Sequence, residues 1–176
     1  MTHLYQALLG PDWAALAPVT RHLHSPDPTV LLEGRVDIVR GRNPLARLIA
    51  TLLGLPRSGP QQSALVKVSA VESGELLERW YGGRHFATLK GRSGPYLTER
   101  FGPFELRFAL RVEAGILRFD PSGVRLWGLS LPSTVSPSVT ATEGAVSDAH
   151  VFDVSLRLPL IGLVVHYRGK LAVATD

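Results

Sequence analysis

From Ser63 to the C-terminus, apolar and polar side chains alternate with a period of two, and this restricts the fold more than any other feature of the chain. The clearest run is FELRFALRVE. Phe104, Leu106, Phe108, Leu110 and Val112 point one way, Glu105, Arg107, Arg111 and Glu113 the other, with Ala109 between them. Successive side chains of a strand leave opposite faces, so this run predicts a strand with one apolar and one wet face. SALVKVSAVE, ELLERWYGG, RHFATLKG, PYLTERFG, GILRFD, GVRLWGL, VSPSVTATE, HVFDVSLRL and LVVHYRGKLAV read similarly, with a turn expected at Asp120-Pro121-Ser122-Gly123. Upstream, TVLLEGRVDIVRG places Val30, Leu32, Val36 and Ile38 opposite Glu33, Arg35 and Asp37.

Two stretches carry a helical period instead. Residues 3–24 form a broken helix, with Leu4, Leu8 and Leu9 on one stripe, interrupted at Pro11 and Pro18. Tyr5 and Trp13 are expected to cap the core from outside. In RNPLARLIATLLGLP, Asn43 is an N-cap, Pro44 takes the first helical position, and Gly54 with Pro56 ends the helix. Leu45, Leu48, Ile49, Leu52 and Leu53 predict a wide apolar face. About nine or ten antiparallel strands with helices gathered near the N-terminus give an α+β fold. The expectation is a large curved antiparallel sheet or partly closed β-barrel, with the helix at about 44–53 packed on its concave side. No linker or repeat divides the chain, so residues 1–176 are read as a single domain.

The absence of cysteine excludes disulfides, zinc–thiolate sites and thiol nucleophiles. The net charge of +4 is carried mostly by arginines that alternate with acids, as a solvated sheet face requires, and nucleic-acid binding is not expected. No apolar run approaches the roughly 20 residues that cross a bilayer, and the first residues do not read as a signal peptide. A cytoplasmic protein is the simplest reading.

No GxGxxG, P-loop, HExxH or GxSxG is present, so no cofactor, metal or catalytic residue is assigned. His22 and His24 lie close together without a convincing carboxylate. An enzymatic reading needs His85 or His166 beside Glu99, Glu143 or Asp153. The conspicuous features are apolar turns. FDVSLRLPLIGLVVHYRGKL puts Leu160 and Ile161 where a hairpin should turn, and WGLSLP runs Trp127, Leu129 and Leu131 into Pro132. Such residues are either covered by the protein's own helices, or they rim a ligand entrance or a contact surface. Arg79-Trp80, Arg100-Phe101 and His166-Tyr167-Arg168 are candidates for holding a polar head group or bracing the rim.

LYQALLG, WYGGRHF, ERFGPFELRF, WGLSLP and FDVSLRLPLIGLVVHYRGKL together resemble a bacterial family, domain of unknown function 4166, from Leu4 to Leu171. Departures fall before WGLSLP, where only Arg125 and Trp127 remain of a basic and aromatic cluster, and after YRG, where Lys170 replaces a tryptophan. The resemblance implies an accessory domain that often follows a saccharopine-dehydrogenase-like or short-chain-type NAD-binding domain, and it implies no catalytic residues. The leading expectation is a non-enzymatic, lipid-carrier-like binding domain for a hydrophobic or amphiphilic small molecule, with Arg79, Trp80, Arg100, Phe101, Trp127, Leu160, Ile161, His166, Tyr167 and Arg168 as candidate ligand residues. The alternative is an interaction module that docks on a dehydrogenase-like partner through an apolar rim.

Overall fold

The alternating runs hydrogen-bond into one antiparallel sheet that closes on itself, as seen in a computed structural model describing residues 3–174. The strands are β1 (Thr29–Arg40), β2 (Gly59–Val71), β3 (Gly74–Tyr81), β4 (Arg84–Ser93), β5 (Tyr96–Phe101), β6 (Phe104–Glu113), β7 (Ile116–Leu126), β8 (Leu129–Ser130), β9 (Ser138–Val146), β10 (Ala149–Leu158) and β11 (Gly162–Val173). Neighbours in sequence are neighbours in space, except that the two-residue β8 sits beside the end of β7 and leaves β9 to continue the wall. The ring is sealed where β1 meets β11, from Leu32 opposite Val173 to Arg40 opposite Val165. The result is a closed up-and-down barrel of ten strands with β8 as an addition, a topology that leaves few unpaired strand edges.

The turn expected at residues 120–123 is not formed. β7 runs straight through it, with Phe108 opposite Pro121, Arg107 opposite Gly123, and the register slipping between them. Ser122 is the extra residue of a bulge. A proline with no N–H to give and a glycine at φ +148° fit a bulge as readily as a turn, and a bulge bends the wall without ending the strand.

All strand connections at one end of the barrel are tight turns. The N-terminal segment covers that end as α1 (Leu4–Leu9), a 3-10 helix (Gly10–Ala15) and α2 (Pro18–Leu23). Tyr5, Leu9 and Leu16 pack there on Leu97, Phe108, Leu117 and Phe119. Tyr5 does not cap from outside as expected. It is fully buried and its hydroxyl accepts a hydrogen bond from Lys90 Nζ at 2.6 Å.

The other end carries α3 (Pro44–Leu52) between β1 and β2, the turns at 82–83, 102–103 and 159–161, and the 127–137 loop. The Asn43 side chain accepts from the Leu45 amide at 2.9 Å, capping α3. The helix seats on the barrel differently from the expected leucine face. Ala46 and Ala50 are fully buried, Ile49 and Leu53 pack on the core, and Leu45, Leu48 and Leu52 are exposed. The backbone approach explains this: Gly41 donates to Val164 O at 3.0 Å, and a side chain at Gly41 would lie 1.7 Å from Leu163 O and 3.3 Å from Ala46 Cβ. Helix and strand therefore come too close for leucine between them, and the small residues take the contact.

Candidate ligand-binding cavity

Inward-facing residues do not fill the barrel. They enclose a cavity of about 540 Å³, inside the roughly 300–1,000 Å³ range of small-molecule sites. Its upper wall is apolar, built from Val66, Phe101, Val154, Leu156 and Leu158, with Ile49 added by α3 and Leu53 by the residue that ends it. Leu131, Val135 and Pro137 line it from the 127–137 loop. Val135 is also 57% exposed, so the cavity reaches solvent at the α3 end.

The floor, from the middle of the barrel down to the N-terminal helices, is charged. Arg79 Nη2 donates to Glu99 Oε1 at 2.6 Å and to Thr88 Oγ1 at 2.8 Å, and its guanidinium lies 5.1 Å from the centre of the Phe86 ring. Burial alone would push the Glu99 carboxyl up. Arg79, Lys90 and hydrogen bonds outweigh it and hold Glu99 below the usual carboxylate range. Burial likewise works against the Arg79 charge, and Glu99 reverses that.

Across the floor, His24 Nε2 lies 2.5 Å from Glu143 Oε2, and His150 Nε2 lies 3.9 Å from the same oxygen. Burial opposes the Glu143 charge, but His24 overcomes it and drives the carboxyl well below its ordinary value. His150 is pushed down to about 4, chiefly by burial and against the pull of Glu143, so its imidazole is neutral at pH 7. Lys90, 4% exposed, hydrogen-bonds the neutral Tyr5 hydroxyl. Across the β3–β4 pair from it, both oxygens of Glu75 are buried without a hydrogen-bond partner among the described residues, and burial raises that carboxyl.

The candidates named from the sequence separate between the two faces of the wall. Arg79, Phe101 and Tyr167 line the cavity. Trp80 is on the outside, its ring 4.5 Å from that of His85. Arg100 is also outside, with Nε 3.1 Å from Glu105 Oε2. His166 pairs with Asp153 at 2.9 Å on the outer surface, and Arg168 is exposed there. Strand neighbours point to opposite faces, so neither arginine stacks on the aromatic beside it in sequence. At the open end Ile161 is half-buried against the core, while Trp127 and Leu160 are 78% and 105% exposed.

Of the histidine–carboxylate pairings an enzyme would need, His166 with Asp153 is formed, but on the outer surface and away from the cavity. Inside, Glu143 meets His24 instead of His85 or His166, and Glu99 meets Arg79. Glu75, Thr88, Lys90 and His150 have no place in the sequence reading, and His24 and Glu143 enter it only in other pairings. Strand parity could have found several of them: Glu75 and Arg79 share the face of Leu77 and Tyr81, and Thr88 and Lys90 that of Phe86. Among the described residues no group of three or more His, Cys, Asp or Glu is arranged to hold a metal, and no helix is long and apolar enough to cross a membrane.

Fold and interior together define a closed antiparallel β-barrel that encloses a small-molecule-sized cavity. The chain belongs to the family described as domain of unknown function DUF4166, whose profile matches residues 16–171. Among solved structures it is similar to a protein of unknown function from the DUF3598 family of Nostoc punctiforme PCC 73102. The TM-score is 0.52 at 11% identity, over 82% of this chain and 47% of that one, so this chain spans about half the length of the Nostoc protein. It is also similar to Rv2717c from M. tuberculosis (TM-score 0.47, 14% identity, 91% of this chain and 99% of that chain). A secretary abundant heat soluble (SAHS) protein from Ramazzottius varieornatus gives a TM-score of 0.43 at 10% identity, over 82% of this chain and 93% of that one. At such identities the likeness speaks to the fold alone. No protein of curated function matches the chain.

Proposed function

We propose that the protein is a non-enzymatic binding domain for an apolar or amphiphilic small molecule. The observation that carries this reading is the 540 Å³ cavity, apolar along its walls and charged only at its floor. A ligand's hydrocarbon part would lie against Phe101, Val154 and Leu156. A head group that accepts hydrogen bonds would meet Lys90, which spends one of its three donors on Tyr5, beside the Arg79–Glu99 pair. Tyr167 belongs to this wall, and Trp127, Leu160 and Ile161 to its approach. Trp80, Arg100, His166 and Arg168, on the outer surface, have no ligand role in the proposal. A cytoplasmic setting agrees with a chain that has no cysteine.

Docking on a dehydrogenase-like partner is the second reading. The exposed Trp127 and Leu160 favour it, but it gives no role to the cavity or its floor. Native mass spectrometry of protein purified from cells, followed by solvent extraction, separates the two. The carrier reading expects an added mass that extracts as an apolar or amphiphilic compound. Empty protein that also fails to take up added long-chain compounds would remove it.

A further inference from the structure

The two ends of the barrel differ in chemistry. The connections at the open end, residues 41–58, 82–83, 102–103, 127–137 and 159–161, contain Arg42, Arg47 and Arg57 and not one aspartate or glutamate. All three arginines are exposed. The closed end carries Asp12, Asp27, Glu72 and Asp148 against Arg21. The protein is therefore polarised along its barrel axis, positive where the cavity opens.

The same positive end exposes its large apolar side chains. On α3, Leu45, Leu48 and Leu52 are 48%, 54% and 76% exposed and follow i, i+3, i+7 spacing, one stripe of the helix. Trp127, Leu129 and Leu160, in connections at the same end, are 78%, 75% and 105% exposed. Trp127 and Leu160 also hold left-handed backbone at φ +48° and +62°, where bulky residues are strained. A tryptophan and leucines interspersed with arginine, free of carboxylates, match the interface of an anionic bilayer, where apolar side chains sink to the acyl boundary and arginines meet lipid phosphates.

We propose that the open end docks on an anionic lipid surface, with the α3 stripe, Trp127, Leu129 and Leu160 inserted and Arg42, Arg47 and Arg57 on the head groups. The cavity then opens toward the bilayer, while the acidic closed end faces away. Docking is independent of whether the cavity holds a cargo.

Flotation of the full chain with vesicles of phosphatidylcholine, with and without phosphatidylserine, tests this. The expected result is binding to the phosphatidylserine vesicles that weakens with added salt and is far weaker to phosphatidylcholine alone. Leu48→Asp with Leu52→Asp should reduce it at least about tenfold, as should Arg42→Glu with Arg47→Glu. These side chains are exposed, so the unfolding midpoint should stay unchanged and show that the variants are folded. Binding of an apolar fluorescent probe without vesicles should persist in all of them, which keeps a failure of docking distinct from a failure of the cavity reading. Absence of vesicle binding, or binding indifferent to these substitutions, overturns the proposal. So does a dimer that Leu52→Asp splits while vesicles stay unbound, a result that would assign the face to a second copy.

Discussion

At the cavity floor Arg79 and Glu99 take the place of water for each other, and their value depends on both being present. Removing one partner of a buried pair leaves an uncompensated charge and costs about 3–5 kcal/mol, whereas replacing both with apolar groups is often far milder. Glu99→Gln should therefore lower the unfolding free energy in urea by that amount. Arg79→Met with Glu99→Leu should cost clearly less than the two single changes added together. His150 links stability to pH. Its folded value of about 4 lies below the ordinary histidine value, so as pH falls from about 6.5 toward 4 the unfolded chain takes up a proton that the folded chain refuses. That contribution is complete above pH 6.5 and declines with acidification, by about 3 kcal/mol in all. Urea titrations across this range should show the decline, and His150→Gln should flatten it. An unchanged slope in that variant would mean that another group carries the effect.

Among the elements, α3 separates what periodicity reveals from what packing decides. Its boundaries were legible because Asn43, Pro44 and Gly54 act locally. Its buried face was not, because leucines on several sides of a helix do not say which side the barrel approaches closely enough to require alanine. Ala50→Leu should thus destabilise by about 1–3 kcal/mol through overpacking, while Leu48→Ala and Leu52→Ala should stay within about 0.5 kcal/mol. Thermal or urea unfolding of the three variants checks the order. The strands were legible in the same local sense: alternation marked β6, β10 and β11, and only the bulge at Pro121–Gly123 was mistaken for a turn, since both use the same residues. Gly169 shows a constraint that no pattern reveals. A side chain there would sit 2.5 Å from the Phe152 ring, across the pair that joins β10 to β11. Gly169→Val should destabilise by more than about 1 kcal/mol, and shortening Phe152 to Ala in the same chain should recover only part, because the Arg35 carbonyl lies at 2.8 Å from the same position.

For the whole molecule, ring closure turns a sheet with one apolar face into an enclosed volume. Alternation marks that face as buried, but not what lies against it. A curved sheet with a helix across it and a barrel around a cavity share the same period, and they differ in whether β1 pairs with β11, a contact between distant parts of the chain. The charged floor was hidden for a related reason: His24, Glu143 and His150 come from α2's end, β9 and β10, and meet only once the barrel has closed and the N-terminal segment has covered it. The account rests on the interior being accessible, unfilled space that accepts an apolar molecule. Titration with 1-N-phenylnaphthylamine, whose fluorescence rises in apolar surroundings, measures that directly when the native chain is compared with Val66→Phe and Val154→Phe together, both positions lining the cavity. The predicted result is saturable binding at one site per chain, abolished or strongly weakened in the filled variant while its fold is retained. Equal binding by the two proteins, or none by the native chain, would contradict it.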